Sequence, residues 1–252
     1  GKVRVDPEKP WVKTYGRQVI LRNLRDPKEG KDMRVDIALQ GPKSRDILLA
    51  LGTTSEDKKK IMALKRTELC EAVVGKVDLV VSRTGYTGEK MAFELFIHPD
   101  QAEELWNGLL KVGEQFGIKP CGLGARDSLR TEAGLPLYGH EFTEDGTMGV
   151  GEGGFASYVK IYKPWFIGRD AFIKREKSRH GVVTRFRFME KGVRMAHHGD
   201  PVMDNKGRVI GHVTSCAVDS EGFLTGQAFI DNKSSIEGTP ISIYQSAGNV
   251  GV

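Results

Sequence analysis

The chain has 252 residues, 39% of them apolar and 28% charged, an ordinary balance for one large or two modest folded domains with a buried core. No stretch approaches the ~18 apolar residues of a membrane-spanning helix, so no membrane association is expected, while the opening Gly1-Lys-Val-Arg-Val-Asp has no apolar signal-peptide centre and targeting is not read from this end. The net charge of +5 permits an anionic ligand, but the basic residues are dispersed, so nucleic acid is not the expected partner.

Residues 1–33 are polar and rich in Pro, Lys and Asp. Trp11 to Leu21 reads as a strand with Val12, Tyr15, Val19 and Leu21 as its apolar positions, and Asp26 to Asp32 is turn chemistry. In the next segment Val35, Ile37 and Leu39 alternate with polar or small residues, which predicts a strand. Gly41-Pro42 ends it, and a helix over Lys43 to Leu51 follows with Pro42 in the first helical position. Glu56 to Leu64 is a second, charged helix, and its Lys58-Lys59-Lys60 run after Glu56-Asp57 reads as a solvated face. The valine-rich stretch Ala72 to Val81 reads as one strand. Gly85 and Gly88 then bracket Tyr86-Thr87, a composition suited to a sharp reversal.

Met91 to Ile97 is the next strand. Strict alternation places Met91, Phe93 and Leu95 on one face, and Ala92, Glu94 and Phe96 on the other. Glu94 is thus a carboxylate among apolar neighbours. It is either buried with a hydrogen-bonding or cationic partner, or an edge glutamate facing water. A helix is expected from Asp100, capped by that residue with Glu103 in return, its face marked by Ala102, Leu105, Trp106, Leu109 and Leu110 and its end by Gly117. The helix over 124–133 carries Arg126 and Arg130 four apart on one face. They could grip a carboxylate, or belong to a surface salt-bridge pattern in which Arg130 pairs with Asp127.

Leu135 to Glu141 is a loop. Composition shifts over Gly146 to Gly154, which places a domain boundary near residue 150. After a short helix over Asp170 to Lys177 the pattern is all strand: Val182 to Phe188, a hairpin around Asp204-Asn-Lys-Gly207, Gly222 to Ile230, and Thr239 to Tyr244. The expected fold is α+β. Residues 1–150 form an antiparallel sheet with helices on one face, and residues 151–252 a small β-barrel or jelly-roll-like domain. His197-His198 invites a metal reading, but no carboxylate or third histidine stands at ligand spacing, so no metal is expected. Cys70, Cys121 and Cys216 are far apart and have no redox or metal spacing, which points to a reducing, cytoplasmic setting.

Several motifs together resemble the aminomethyltransferase (T-protein) family of the glycine cleavage system. They are Gly85-Tyr86-Thr87-Gly88-Glu89, Phe93-Glu94 and Ala125-Arg126-Asp127-Ser128-Leu129-Arg130, in that order. Leu39-Gln-Gly-Pro-Lys-Ser44, Leu135-Pro-Leu-Tyr138-Gly139 and Phe166-Ile-Gly168-Arg extend the likeness over about residues 30–245. One departure is Glu89-Lys-Met-Ala92, where the family has Glu-Asp-Gly before Phe-Glu.

The resemblance implies tetrahydrofolate-dependent aminomethyl transfer, with a lipoyl-carrying H-protein as donor and release of ammonia. It implies folate or substrate binding by Glu94 and Arg126, a structural pairing for Arg130, a place for Tyr86 in the site and, in second rank, places for Tyr138 and His140 along the cavity. It also implies that the catalytic aspartate and part of the cavity wall lie in a preceding segment or a second chain. Two alternatives share the scaffold. One is a folate- or tRNA-binding relative, whose Lys-Gly-Cys-Tyr-x-Gly-Gln-Glu motif is absent here. The other is the folate domain of a methylated-amine oxidase or demethylase.

Overall fold

The computed structural model describes residues 3–5, 13–15, 19–143 and 147–245. Parts of the expected strand at Trp11 to Leu21, and Gly146 at the compositional boundary, lie outside the described residues. The chain forms two compact units. The first comprises Gly1–Gly85 and Glu89–Pro120, and the second Tyr86–Gly88 and Cys121–Val252. The division between compact units therefore falls at Pro120 and Cys121, with a short excursion at Tyr86–Gly88.

In the first unit, β1 (Val3–Val5), β2 (Lys13–Tyr15) and β3 (Val19–Leu21) form a small antiparallel sheet. The main sheet contains β4 (Val35–Gln40), β5 (Leu69–Val74), β6 (Val77–Ser82) and β7 (Ala92–Ile97), in the order β4-β7-β6-β5 and antiparallel throughout. Three helices accompany it: α1 (Ser44–Ala50), α2 (Ser55–Ala63) and α3 (Pro99–Gly113). Leu39 pairs with Phe93, and Val81 with Leu95, so one face of the sheet is a continuous apolar surface. Ile47, Leu48, Ile61, Leu105 and Leu109 of the helices bury against it. Helices on one face are what the period-two pattern predicts, and the opposite face mixes Asp36, Gln40, Asp78 and Glu94 with apolar Ala38, Val80 and Phe96.

The structure corrects three sequence expectations. Ala72 to Val81 is two strands, because Val74 pairs with Val77 across a two-residue Gly75-Lys76 turn. Gly75 has φ +64°, the left-handed conformation that such hairpin turns require. The valines on both sides had hidden this turn. Helix α1 starts at Ser44, so Pro42 stands in the preceding turn. Helix α3 starts at Pro99, and the His98 side chain accepts from the Asp100 N–H at 3.3 Å, so His98 caps the helix and Asp100 lies inside its first turn.

In the second unit, α4 (Leu123–Glu132) and α5 (Arg169–Ser178) precede or follow long loops. A five-stranded antiparallel sheet follows, built from β8 (Gly181–Arg187), β9 (Pro201–Met203), β10 (Val209–Val218), β11 (Leu224–Asp231) and β12 (Ser242–Ile243). Its order is β12-β9-β10-β11-β8, so β12 and β8 are the edges among the described residues. Phe186, Val202, Ile210, Val213, Ala228 and Ile230 form its core, and α4 lies against β10 and β11. Among the described residues no helix is long and apolar enough to cross a membrane.

Leu48 is completely buried in the first core. Truncating it leaves a cavity that close packing cannot refill, so Leu48→Ala should lower unfolding free energy by about 2–5 kcal/mol. A urea melt with an unchanged m-value measures this directly.

Candidate functional site

Glu94 stands in the middle of β7 on the face away from the helices. Its cross-strand neighbours are Ala38 of β4 and Ser82 of β6. Period-two alternation fixes this placement, since Phe93 and Leu95 on either side are fully buried in the core. The Thr84 hydroxyl donates to Glu94 Oε2, and the Ser82 hydroxyl lies 3.0 Å from Thr84 Oγ1. A short hydroxyl relay therefore orients the half-buried carboxylate. Its Oε1 has no hydrogen-bond donor among the described residues and remains available to one. The relay runs up to Gly85, where a side chain would not fit: a Cβ there would overlap Ala92 Cβ and lie 2.8 Å from Gln40 Oε1. This decides between the two sequence readings of Glu94. It is a partnered carboxylate on a packed strand, not an edge residue.

Arg126 lies in the first turn of α4 and is exposed. Its guanidinium carbon is 4.5 Å from the ring centroid of Tyr86, a cation–π contact. No carboxylate pairs with Arg126 among the described residues. The Tyr86 hydroxyl donates to the Pro136 carbonyl. Burial pushes the Tyr86 phenol above its usual pKa, against the opposing pull of Arg130 and Arg126, so the hydroxyl stays a donor at neutral pH. Tyr86 and Arg126 are thus brought together. Tyr138 is 66% exposed, and its hydroxyl makes no hydrogen bond among the described residues. His140 is turned to the Thr214 carbonyl, with Nδ1 at 3.1 Å.

Arg130, one turn beyond Arg126, meets the opposite environment. It is completely buried. Its Nε and Nη2 donate to Asp127 Oδ1 at 2.8 and 2.6 Å, its Nη1 donates to Glu141 Oε2 at 2.9 Å and to the Leu135 carbonyl at 3.3 Å, and its Nη2 donates to Ser215 Oγ at 2.9 Å. Glu141 is equally buried, and it accepts from the Leu137 N–H at 2.8 Å and from Ser215 Oγ at 2.7 Å. Each group buried as an ion therefore has several partners, as desolvation demands. The helix C-terminus, the Leu135–Glu141 loop and β10 are tied together through this one guanidinium. Sequence reading anticipated the Asp127 partner from its three-residue spacing. It missed Glu141 and Ser215, because loop and strand positions far along the chain leave no periodic signal.

A family model described as the GCVT N-terminal domain matches residues 15–163. The chain belongs to this family, that of the glycine cleavage T-protein. It is 37% identical over 220 residues to an aminomethyltransferase of Thermoanaerobacter sp. (strain X514), a match covering 84% of this chain and 55% of that protein. It is 42% identical over 188 residues to an aminomethyltransferase of Clostridium botulinum (strain Kyoto / Type A2), covering 73% and 48% respectively. Among solved structures it resembles the glycine cleavage system aminomethyltransferase T from Bartonella henselae, with a TM-score of 0.69 and 28% identity over 84% of this chain and 55% of that one. The chain thus spans about half the length of the relatives it matches.

Removing one member of the buried pair strands the other without its counter-charge. Glu141→Leu should destabilise by about 3–5 kcal/mol. Asp127→Ala should have a smaller effect, because the Asp127 side chain is 47% exposed and its attraction is screened by water. Paired denaturant melts of the two variants give the comparison.

Proposed function

We propose that this chain carries the folate-handling residues of a tetrahydrofolate-dependent aminomethyltransferase of the glycine cleavage system. The donor would be an aminomethyl group on a lipoyl-carrying H-protein. Tetrahydrofolate supplies the amine nitrogen that accepts the one-carbon unit, and ammonia is released. Membership of the family and the relatives' printed names support this reaction class.

The observation that carries the proposal is Glu94. A pterin ring presents neighbouring N–H donors, and a carboxylate held in one orientation is the matching acceptor. Glu94 has that character: Thr84 fixes one oxygen, and the other is unpaired among the described residues. The role proposed for Arg126 rests on its own surroundings. A guanidinium that is exposed, stacked on Tyr86 and not neutralised by an internal acid is suited to a ligand carboxylate, such as that of a folate glutamyl tail. Tyr86 would hold that guanidinium in place, and Tyr138 would offer an exposed ring and hydroxyl. We assign residues 1–150 to the folate-binding portion of the family and 151–252 to its C-terminal β-domain. A cytoplasmic location is part of the same proposal.

Charged hydrogen bonds are worth about 1.5–3 kcal/mol, so Glu94→Ala should weaken tetrahydrofolate binding roughly ten- to a hundredfold without altering the melt. Arg126→Ala should weaken folate binding but leave pteroate, which lacks the glutamyl group, unaffected. Anaerobic fluorescence titrations of the two variants read both effects. Unchanged tetrahydrofolate affinity in Glu94→Ala would remove the proposed role.

A further inference from the structure

The five-stranded sheet of the second unit ends at β8, and that edge is only partly covered. Along an edge strand of an antiparallel ladder, alternate residues turn their N–H and C=O groups toward the neighbouring strand and away from it. The Val183 N–H donates outward to the Glu152 carbonyl at 2.6 Å, while the Phe188 N–H donates inward to the Leu224 carbonyl of β11 at 2.9 Å. Odd-numbered residues of β8 therefore face out, and Arg185 and Arg187 turn their main-chain groups to the open side. None of these four groups has a hydrogen-bond partner among the described residues. The stretch at Glu152 covers the edge at Val183 and leaves the part beyond it free.

A groove of about 430 Å³ opens beside the uncovered part. Thr184 and Arg185 of β8 line it, with Ile230 of β11 and with Ile236, Thr239 and Ile241 of the loop that leads to β12. Ile230 and Ile241 belong to the apolar core of this sheet, and Thr184 shares their face because its ladder partner is the core residue Ala228. Ile236 is 71% exposed. The Arg185 side chain stands on the opposite face. Its stem passes over Gly134, where a Cβ would come within 2.8 Å of it, and its Nη2 donates to the Glu132 carbonyl. No carboxylate pairs with it among the described residues, whereas Arg187 is already matched by Asp219 and Glu221.

We propose that the β8 edge takes up an extended peptide segment as an added strand, with an apolar–acidic–apolar sequence at its centre. Outward-facing N–H and C=O groups on a sheet edge are a template for another backbone. The residue set opposite Arg185 lies on the same face as Arg185, so a carboxylate there supplies the missing counter-charge. Its two neighbours turn to the other face, over the isoleucines of the groove. A second copy of this chain fits badly, because antiparallel self-pairing sets Arg185 against Arg185 or Arg187. The residues after Gln245, Ser-Ala-Gly-Asn-Val-Gly-Val, contain no acid and lack the carboxylate that Arg185 calls for. No residue of this edge belongs to the proposed folate-contacting set, and the proposal stands apart from that reading.

The test is a titration of the N-acetylated, C-amidated peptide Thr-Val-Glu-Val-Thr into the isotope-labelled 252-residue chain, followed by proton–nitrogen NMR. The main-chain amide resonances of Arg185 and Arg187 should move together and saturate at millimolar peptide. N-methylation of the peptide's glutamate removes one backbone donor and should weaken binding about tenfold. Arg185→Ala should weaken binding about two- to fivefold and erase the preference for this peptide over Thr-Val-Lys-Val-Thr. Stationary Arg185 and Arg187 amides at millimolar peptide would overturn the proposal. So would equal affinity for the N-methylated peptide, a comparison that leaves the protein unaltered. Dimerisation of the free chain that strengthens in Arg185→Ala would assign the edge to a second copy and overturn it as well.

Discussion

A guanidinium cannot be buried without acceptors on every side, and Arg130 is completely buried. Its five N–H groups therefore dictate what must surround the end of α4. Asp127 comes from the same helix, Glu141 and the Leu135 carbonyl from the following loop, and Ser215 from β10. Glu141 brings the same requirement from the other side and meets it with Ser215 and the Leu137 N–H. The loop from 135 to 141 is thus held by polar satisfaction more than by apolar contact. Pro136, the acceptor of the Tyr86 hydroxyl, and His140, a partner of Thr214, both lie in that loop.

The two arginines of α4 share a helix and a spacing but not a role. The helix begins in an exposed stretch, Cys121 to Arg126, and its end is packed on β10 and β11. Depth in the unit, not position on the helical wheel, separates the exposed Arg126 from the buried Arg130. In the first unit the corresponding control is the pleat of β7. Packing of Phe93 and Leu95 against the helices sends Glu94 to the other face, and a one-residue slip would reverse them. A carboxylate on a strand is held more rigidly than one on a loop, and the Thr84 bond restricts Glu94 further.

Much of this was legible in the sequence because it depends on local period. The alternation of β7, the face of α3, the strand-rich C-terminal stretch and the Asp127–Arg130 spacing are all short-range patterns. The turn at Gly75 was not legible, since valines on both sides of it match a continuous strand equally well. Glu141 and Ser215 were not legible for a different reason. Their partnership with Arg130 is set by the tertiary path of a loop, which no local spacing encodes. The ring contact between His140 and His198 was concealed in the same way. The adjacent His197-His198 pair drew attention by sequence, while the spatial neighbour of His198 lies in another segment.

In the proposed function this chain, about half the length of its relatives, carries enough oriented polar groups to recognise folate. An anaerobic calorimetric titration of tetrahydrofolate into the 252-residue chain tests it most directly. Saturable binding in the micromolar range is the expected result. Absence of any saturable heat with tetrahydrofolate at millimolar concentration would contradict it, and would mean that recognition is built by parts of the relatives that this chain does not match.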